Sequence, residues 1–281
     1  MPLVRCRPVS LALCVAATVV GLVAATTPAN ARTWARPSAA IVSPSMMLYT
    51  EGAQCTANFV YVDSAGRAYI GQAAHCSSRG AQTATNGCRT RSWPLGTVVR
   101  DASGRRIGAL AYNSWIAMHR AHERNGNACA ANDLALVRID RSLVRRTTPT
   151  MPGLGGPTRL NTTGVATGAQ VYAVGNSSLL FGAGSLVAQT GVVEKATSGG
   201  WAYYVAMARP GIPGDSGSGY LDARGRALGQ LSTISVGTDG LGDTIGNLSR
   251  EIAYARRHGV RGLSVVRGQT TFHGMTGLIT R

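Results

Sequence analysis

At 281 residues, with 44% apolar, 6% aromatic and only 14% charged residues, the chain has ample material for a sizeable core. Low charge combined with 36 Gly and 11 Pro excludes a coiled coil or long-helix protein, and the ordinary apolar content excludes intrinsic disorder despite a formal net charge of +16. Length allows one or two domains, and the glycine content points to many tight turns between short strands.

Arg5 and Arg7 precede an uncharged run over 9–25, and Ala29-Asn30-Ala31 supplies a small-x-small cleavage pattern. Residues 1–31 are therefore expected to be a cleaved secretion signal, which implies an extracellular protein. The rival, a membrane anchor, needs about 20 apolar residues. No later segment is apolar enough to cross a bilayer, so the mature form is expected to have no membrane span. Without Arg5 and Arg7 the formal charge is +14, and Lys195 is the only lysine among 28 basic residues. Such a charge can steer a protein to an anionic cell-surface polymer. The arginines are scattered in short pairs (Arg105-Arg106, Arg145-Arg146, Arg256-Arg257), so no specific nucleic-acid partner is expected.

Cys6 and Cys14 leave with the signal. Cys55, Cys76, Cys88 and Cys129 remain, an even count that in a secreted protein reads as two disulfides with three possible pairings. Pairing of sequential neighbours, Cys55–Cys76 and Cys88–Cys129, closes loops of modest size and is the one expected. The rival zinc site lacks C-x2-C or H-x3-H spacing, and no metal or cofactor is expected.

Short β-rich runs bounded by Gly, Asn, Asp, Ser or Pro recur at 59–62, 68–70, 97–99 and 134–139, then at 171–174, 191–193, 201–206, 219–221 and 227–231. Between the two groups, residues 146–161 hold Pro149, Pro152 and Pro157 with Gly153, Gly155 and Gly156, which read as a crossover without strand or helix. His119, His122 and Glu123 lie in a stretch read as an exposed loop rather than a metal site. One helix is expected near the C-terminus. Asn247 would cap it, Leu248, Ile252 and Ala255 share a face, Glu251 sits in the first turns, Arg256 and Arg257 in the last, and Gly259 follows as a stop. Asn161-Thr162-Thr163 and Asn247-Leu248-Ser249 match the glycosylation pattern, which is frequent by chance.

Three local patterns stand in order: Gln72-Ala73-Ala74-His75-Cys76, Asp133-Leu134-Ala135-Leu136-Val137 and Gly214-Asp215-Ser216-Gly217-Ser218-Gly219. Together they resemble the trypsin/chymotrypsin-like serine protease family in its A-A-H-C box, D-L-A-L strand start and G-D-S-G loop. Ile41-Val42, 14 residues before Cys55, and Gly262-Leu263-Ser264-Val265-Val266 after the helix extend the likeness to the secreted, actinobacterial-type branch, over about 41–268.

The resemblance implies an all-β fold of two six-stranded antiparallel Greek-key β-barrels with a C-terminal helix. It divides the sequence into a short N-terminal or activation segment (32–40), a first barrel (41–147), a linker (148–160), a second barrel and helix (161–268) and a tail (269–281). It implies a monomeric serine endopeptidase acting on polypeptides. His75 would be the general base, Asp133 its orienting partner and Ser216 the nucleophile, with the N–H groups of Gly214 and Ser216 as oxyanion hole. Ser232 resembles the serine that hydrogen-bonds the triad Asp, and Ser232, Thr233 and Ile234 the strand on which substrate lies.

Departures from the family pattern are specific. Val42-Ser43-Pro44 replaces the usual I-V-G-G start, which leaves two readings for Asp215: an amine released by removal of 32–40, or an internal group, the latter being expected. No large folding pro-region is expected before Ile41. Pro210 occupies the position counted six before Ser216, where trypsin-like members carry an acid. Leu231-Ser232-Thr233-Ile234 has no histidine for a glutamate-selecting pocket, so a small or medium apolar P1 side chain is expected. Ser218 and Gly219 replace the Gly-Pro of the common run. Two rivals stand beside the protease: a silent protease-fold module that binds through its basic surface, and an esterase-like hydrolase. The intact triad weighs against the first. Against the second, glycine follows Ser216 immediately rather than two residues on.

Overall fold

The computed structural model describes residues 33–80, 84–179, 186–237 and 240–275. The expected secretion signal lies outside the described residues. Among those residues, no helix is long and apolar enough to cross a membrane.

The first half contains β1 (Met47–Thr50), β2 (Ala53–Thr56), β3 (Val60–Val62), β4 (Ala68–Ala73), β5 (Val98–Arg100), β6 (Arg106–Asn113) and β7 (Leu134–Ile139). The second contains β8 (Gln170–Gly175), β9 (Val187–Thr197), β10 (Ala202–Met207), β11 (Gly219–Asp222), β12 (Ala227–Gly237) and β13 (Gly240–Asn247). The last six close into an antiparallel barrel in the order β10-β13-β12-β11-β8-β9. The first seven join one sheet with β14 (Ser264–Val265), ordered β14-β3-β4-β7-β6-β5-β1-β2. The first half thus carries eight strands because the β1–β2 hairpin lengthens one edge and the polypeptide returns to add β14 at the other. Each half encloses its own apolar cluster, for example Val60, Ile70, Ile107 and Val137 in the first and Val171, Val205, Tyr220 and Leu231 in the second. A third cluster, with Phe59, Trp115, Leu134, Leu221 and Ile252, spans both halves.

Three hairpins share a turn whose chemistry is written in the sequence. Asp63-Ser64-Ala65-Gly66-Arg67, Asp101-Ala102-Ser103-Gly104-Arg105 and Asp222-Ala223-Arg224-Gly225-Arg226 join β3–β4, β5–β6 and β11–β12. In each, the Asp carboxylate accepts the N–H of the residues two and four positions on. The glycine takes the positive φ that closes the turn (70°, 79° and 69°). Asp63 and Asp222 also pair with the Arg four residues on.

The helices depart from expectation in two ways. Besides α3 (Leu248–Arg257), two short helices occur: α1 (Ser114–Arg120) and α2 (Gly126–Ala131). Asn113 and Asn125 cap them, each accepting two N–H groups of the first turn. His119 therefore ends a helix rather than lying in a loop, and its Nε2 meets Thr90 O at 3.1 Å. Asn247 sits at the N-cap of α3 without capping it. Its amide instead donates to Gly200 O and Tyr203 Oη (3.0 and 3.1 Å), tying the helix start to the second barrel. Leu248, Ile252 and Ala255 are buried as the spacing requires.

Residues 148–160 contain no strand or helix, and Met151 and Leu154 from this stretch are buried in the spanning cluster. The segment after Gly268 packs on them: Gln269 bonds Thr148 and Thr150, and Phe272 meets Tyr172 edge-on at 5.5 Å.

Both disulfides form in the expected pairing, Cys55–Cys76 and Cys88–Cys129. The second ties the loop before β5 to α2 across 41 residues. The double variant Cys88→Ala/Cys129→Ala is expected to lose about 4 kcal/mol of stability in the loop-entropy picture. Urea unfolding of the two proteins measures this, and equal midpoints would show that the bridge does not stabilise the fold.

Candidate active site

β4 runs antiparallel to β7 with Ala73 opposite Leu134. That register brings the turn after β4 beside the residue before β7. The turn is a short 3-10 segment, Ala74–Ser77, and holds His75. Three bonds fix the pair: Ala74 N to Asp133 O (2.5 Å), His75 N to Asp133 Oδ1 (2.9 Å) and His75 Nδ1 to Asp133 Oδ2 (2.7 Å). A carboxylate oxygen only accepts, so the proton of a neutral His75 sits on Nδ1 and Nε2 keeps its lone pair. Burial disfavours the imidazolium, but the Asp133 charge and hydrogen bond outweigh it and hold the His75 pKa above 6.5.

The second barrel completes this environment. Ser232 on β12 donates its hydroxyl to Asp133 Oδ2 at 2.7 Å. Gln230, two residues earlier, donates to Asp133 O at 2.7 Å. Glu251 on α3 accepts the Asp133 N–H through Oε1 at 2.9 Å and Gln230 Nε2 at 3.3 Å. Asn58 Nδ2 meets Gln230 Oε1 at 3.4 Å, and Tyr61 donates to Asn58 Oδ1 at 2.8 Å. Burial pushes the Glu251 pKa from 4.5 up to about 8, against the two hydrogen bonds it accepts.

Ser216 lies on the turn before β11. Its carbonyl accepts Thr56 N (2.8 Å), and Gly217 N donates to Leu231 O (2.7 Å). Gly217 has φ 88°, and a Cβ there would stand 2.6 Å from Thr56 O and 2.7 Å from Ala73 N, so the loop reaches the His75 strand only with glycine at this point. Gly214 has φ 101°. Asp215 N donates to Ile212 O (2.9 Å), whereas the N–H groups of Gly214 and Ser216 make no hydrogen bond among the described residues.

His75, Asp133, Gly214, Ser216, Ser232, Thr233 and Ile234 all line one cleft of about 330 Å³. All the expected catalytic, oxyanion and substrate-strand residues are thus brought together. No hydrogen bond joins the Ser216 hydroxyl to His75 here, a looseness common before substrate binds. Pro210 is not on the cleft; the wall before Ser216 is Ile212, Pro213 and Gly214. Cys55, His75 and Cys76 have their donor atoms within 4.8 Å, but both sulfurs are tied in the disulfide and are not thiolate ligands.

Two buried carboxylates flank the Ser216 loop. Asp215 accepts Ile212 N through Oδ2 at 3.1 Å, and burial raises its pKa against the N–H groups of Ile212 and Asn176. In this uncut chain Ile41 N is a peptide N–H that donates to Arg146 O at 2.7 Å. Asp243 on β13 is fully buried, accepts Gly211 N (2.9 Å) and the Tyr220 hydroxyl, and is likewise raised by burial.

Sequence reasoning missed Gln230, Asp243 and the burial of Glu251. For Glu251 a signal existed: positions 248, 251, 252 and 255 form one helical stripe, so the acid lies in the apolar face. A carboxyl whose folded pKa is raised favours folding fully below pH 4.5, and that contribution is lost as pH rises to about 8. Glu251→Gln, which keeps the Oε1 acceptor without a titrating group, is expected to flatten that decline. Urea midpoints between pH 4.5 and 8 check it, and parallel slopes would refute it. Glu251→Ala leaves the Asp133 N–H unpaired and is expected to destabilise by about 1–3 kcal/mol.

No known family profile and no curated protein matches this sequence. Solved structures do. Thermobifida fusca protease A is 18% identical and matches with a TM-score of 0.51 over 82% of this chain and 100% of its own. A glutamic acid-specific serine protease is 17% identical, with a TM-score of 0.49 over 80% of this chain and 100% of its own. Nocardiopsis protease is 16% identical, with a TM-score of 0.47 over 80% and 98%. The likeness at these identities is one of fold, and the first match joins the strand order in giving it: the protein has the chymotrypsin-like serine protease fold.

Proposed function

We propose that the protein is a secreted serine endopeptidase in which Ser216, His75 and Asp133 form the catalytic triad. The observation that carries this reading is the 2.7 Å bond from His75 Nδ1 to a buried Asp133 carboxylate, with Ser216 on the same cleft. A serine hydroxyl is a weak nucleophile near neutral pH and needs a base. His75 Nε2 takes the Ser216 proton as Oγ attacks the scissile carbonyl. Asp133 stabilises the imidazolium, and the Gly214 and Ser216 N–H groups receive the oxyanion. The tetrahedral intermediate collapses as His75 gives its proton to the leaving amine. Water then enters, loses a proton to His75 and releases the acyl group from Ser216.

The substrate backbone lies along Ser232–Ile234 on β12. Its P1 side chain enters a space bounded by Ile212, Pro213 and Leu231, which suits a small or medium apolar group. The two disulfides support an oxidising compartment, in line with 1–31 as a cleaved signal.

Residues 32–281 folded under oxidising conditions are expected to label stoichiometrically with a fluorophosphonate, and Ser216→Ala not at all. Silence from this protein and from one beginning at Ile41 would sink the reading. Protonation of His75 removes the base, so activity is lost as pH falls, with a midpoint above 6.5 because Asp133 holds the imidazolium. Asp133→Asn is expected to reduce kcat by about 10⁴ and to move that midpoint down; an unmoved midpoint would disconnect Asp133 from the titration.

A further inference from the structure

An oxyanion-hole N–H acts only if its peptide plane is turned toward the cleft, and a glycine-flanked plane can turn either way. We infer that Ser177 is a positioning residue which, with Gln54 and Thr56, locks the peptide planes on both sides of Gly214 so that the Gly214 N–H faces the cleft. This role rests on the serine protease reading and adds to it the device that holds the hole open.

Ser177 is fully buried, two residues beyond β8. Its Oγ donates to Pro213 O at 2.6 Å and accepts Leu179 N at 3.2 Å. Among the described residues the cis peptide is Gly156–Pro157, so the Pro213–Gly214 peptide is trans. In a planar trans peptide the C=O and N–H point in opposite directions. Holding Pro213 O toward Ser177 therefore turns the Gly214 N–H to the other side of the backbone, where Pro213, Gly214 and Ser216 line the cleft.

The next plane is held as firmly. Gly214 O accepts Gln54 Nε2 (3.0 Å) and Thr56 Oγ1 (2.8 Å), and Asp215 N donates to Ile212 O (2.9 Å). Gln54 is itself fixed, donating to Asn176 O at 3.1 Å and accepting Ser178 N and Oγ at 3.1 and 2.9 Å. A flipped Pro213–Gly214 peptide would leave the buried Ser177 hydroxyl without its acceptor. The clamp also explains the glycine: a Cβ at 214 would stand 2.5 Å from Gln54 Oε1 and 2.8 Å from Ser177 Oγ.

The test is Ser177→Ala, with its fold checked by near-UV circular dichroism and thermal midpoint. The expected result is a kcat about tenfold or more below wild type, short of the roughly 10²–10³ that follows outright loss of a donor, with KM within about twofold. The inhibition constant of a peptide aldehyde, whose hemiacetal oxygen occupies the hole, should rise by the same factor, and Ser177→Thr, which keeps the hydroxyl, should recover part of both. A merely structural role would not shift aldehyde affinity in step with kcat. If Ser177→Ala does not fold, Gln54→Met, which removes a partly buried amide, carries the same expectation. A folded variant with wild-type kcat and aldehyde affinity overturns the role of Ser177 alone. A wild-type enzyme that neither labels nor cleaves overturns the protease reading and this role with it.

Discussion

Asp133 is 3% exposed, and a buried charge is tolerated only where hydrogen bonds replace its lost water. That constraint organises the site. The first half supplies the His75 backbone N–H and imidazole; the second supplies the Ser232 hydroxyl. Gln230 and Glu251, also from beyond residue 160, take the backbone carbonyl and N–H of the same residue. Asp133 is thus held from both halves at once. Asp133 O and Oδ2 each take two donors, one from each half, and the Asp133 N–H has Glu251 as its acceptor, which makes the arrangement cooperative and the His75 tautomer unambiguous.

A second buried acid is gathered here. Glu251 lies within hydrogen-bond reach of the Asp133 backbone, has no cationic partner among the described residues, and burial carries its pKa to about 8. It therefore serves as a largely neutral acceptor near pH 7, while Asp133 faces the His75 ring. The two hydrogen bonds Glu251 accepts, from Asp133 N and Gln230 Nε2, make an acid in the apolar stripe of α3 compatible with a stable helix.

What the sequence made legible was what is encoded locally. The 134–139 run, the A-A-H-C box, the G-D-S-G loop and the Leu248–Ile252–Ala255 face each carry their signal within a few residues, and each stands where it was expected. The missed elements are short or masked by mixed composition. β6 has an exposed Arg at its start and three small residues, Gly108, Ala109 and Ala111, and α1 and α2 are seven and six residues long, below the length at which helical periodicity speaks. Their caps, Asn113 and Asn125, were the available clue. Gln54, Thr56, Gln230 and Glu251 escaped for a different reason. Their partners lie between 97 and 160 residues away in sequence for the bonds that matter, and no local pattern reports such a pairing.

The same distribution of acids sets the field outside the molecule. Of twelve Asp and Glu residues, Asp63, Asp133, Asp215, Asp222, Asp243 and Glu251 are buried. Asp63 and Asp222 serve turns, Asp133 the imidazole, and Asp215 and Asp243 the backbone of the Ser216 loop. Burial raises the pKa of Asp215, Asp243 and Glu251, the last to about 8. The arginines, in contrast, stay mostly on the exterior, because a guanidinium keeps its charge and its water. The exterior is thus predominantly cationic, and this follows from how the interior is built: acids are drawn inward as fixed hydrogen-bond acceptors, and the cations left outside face solvent.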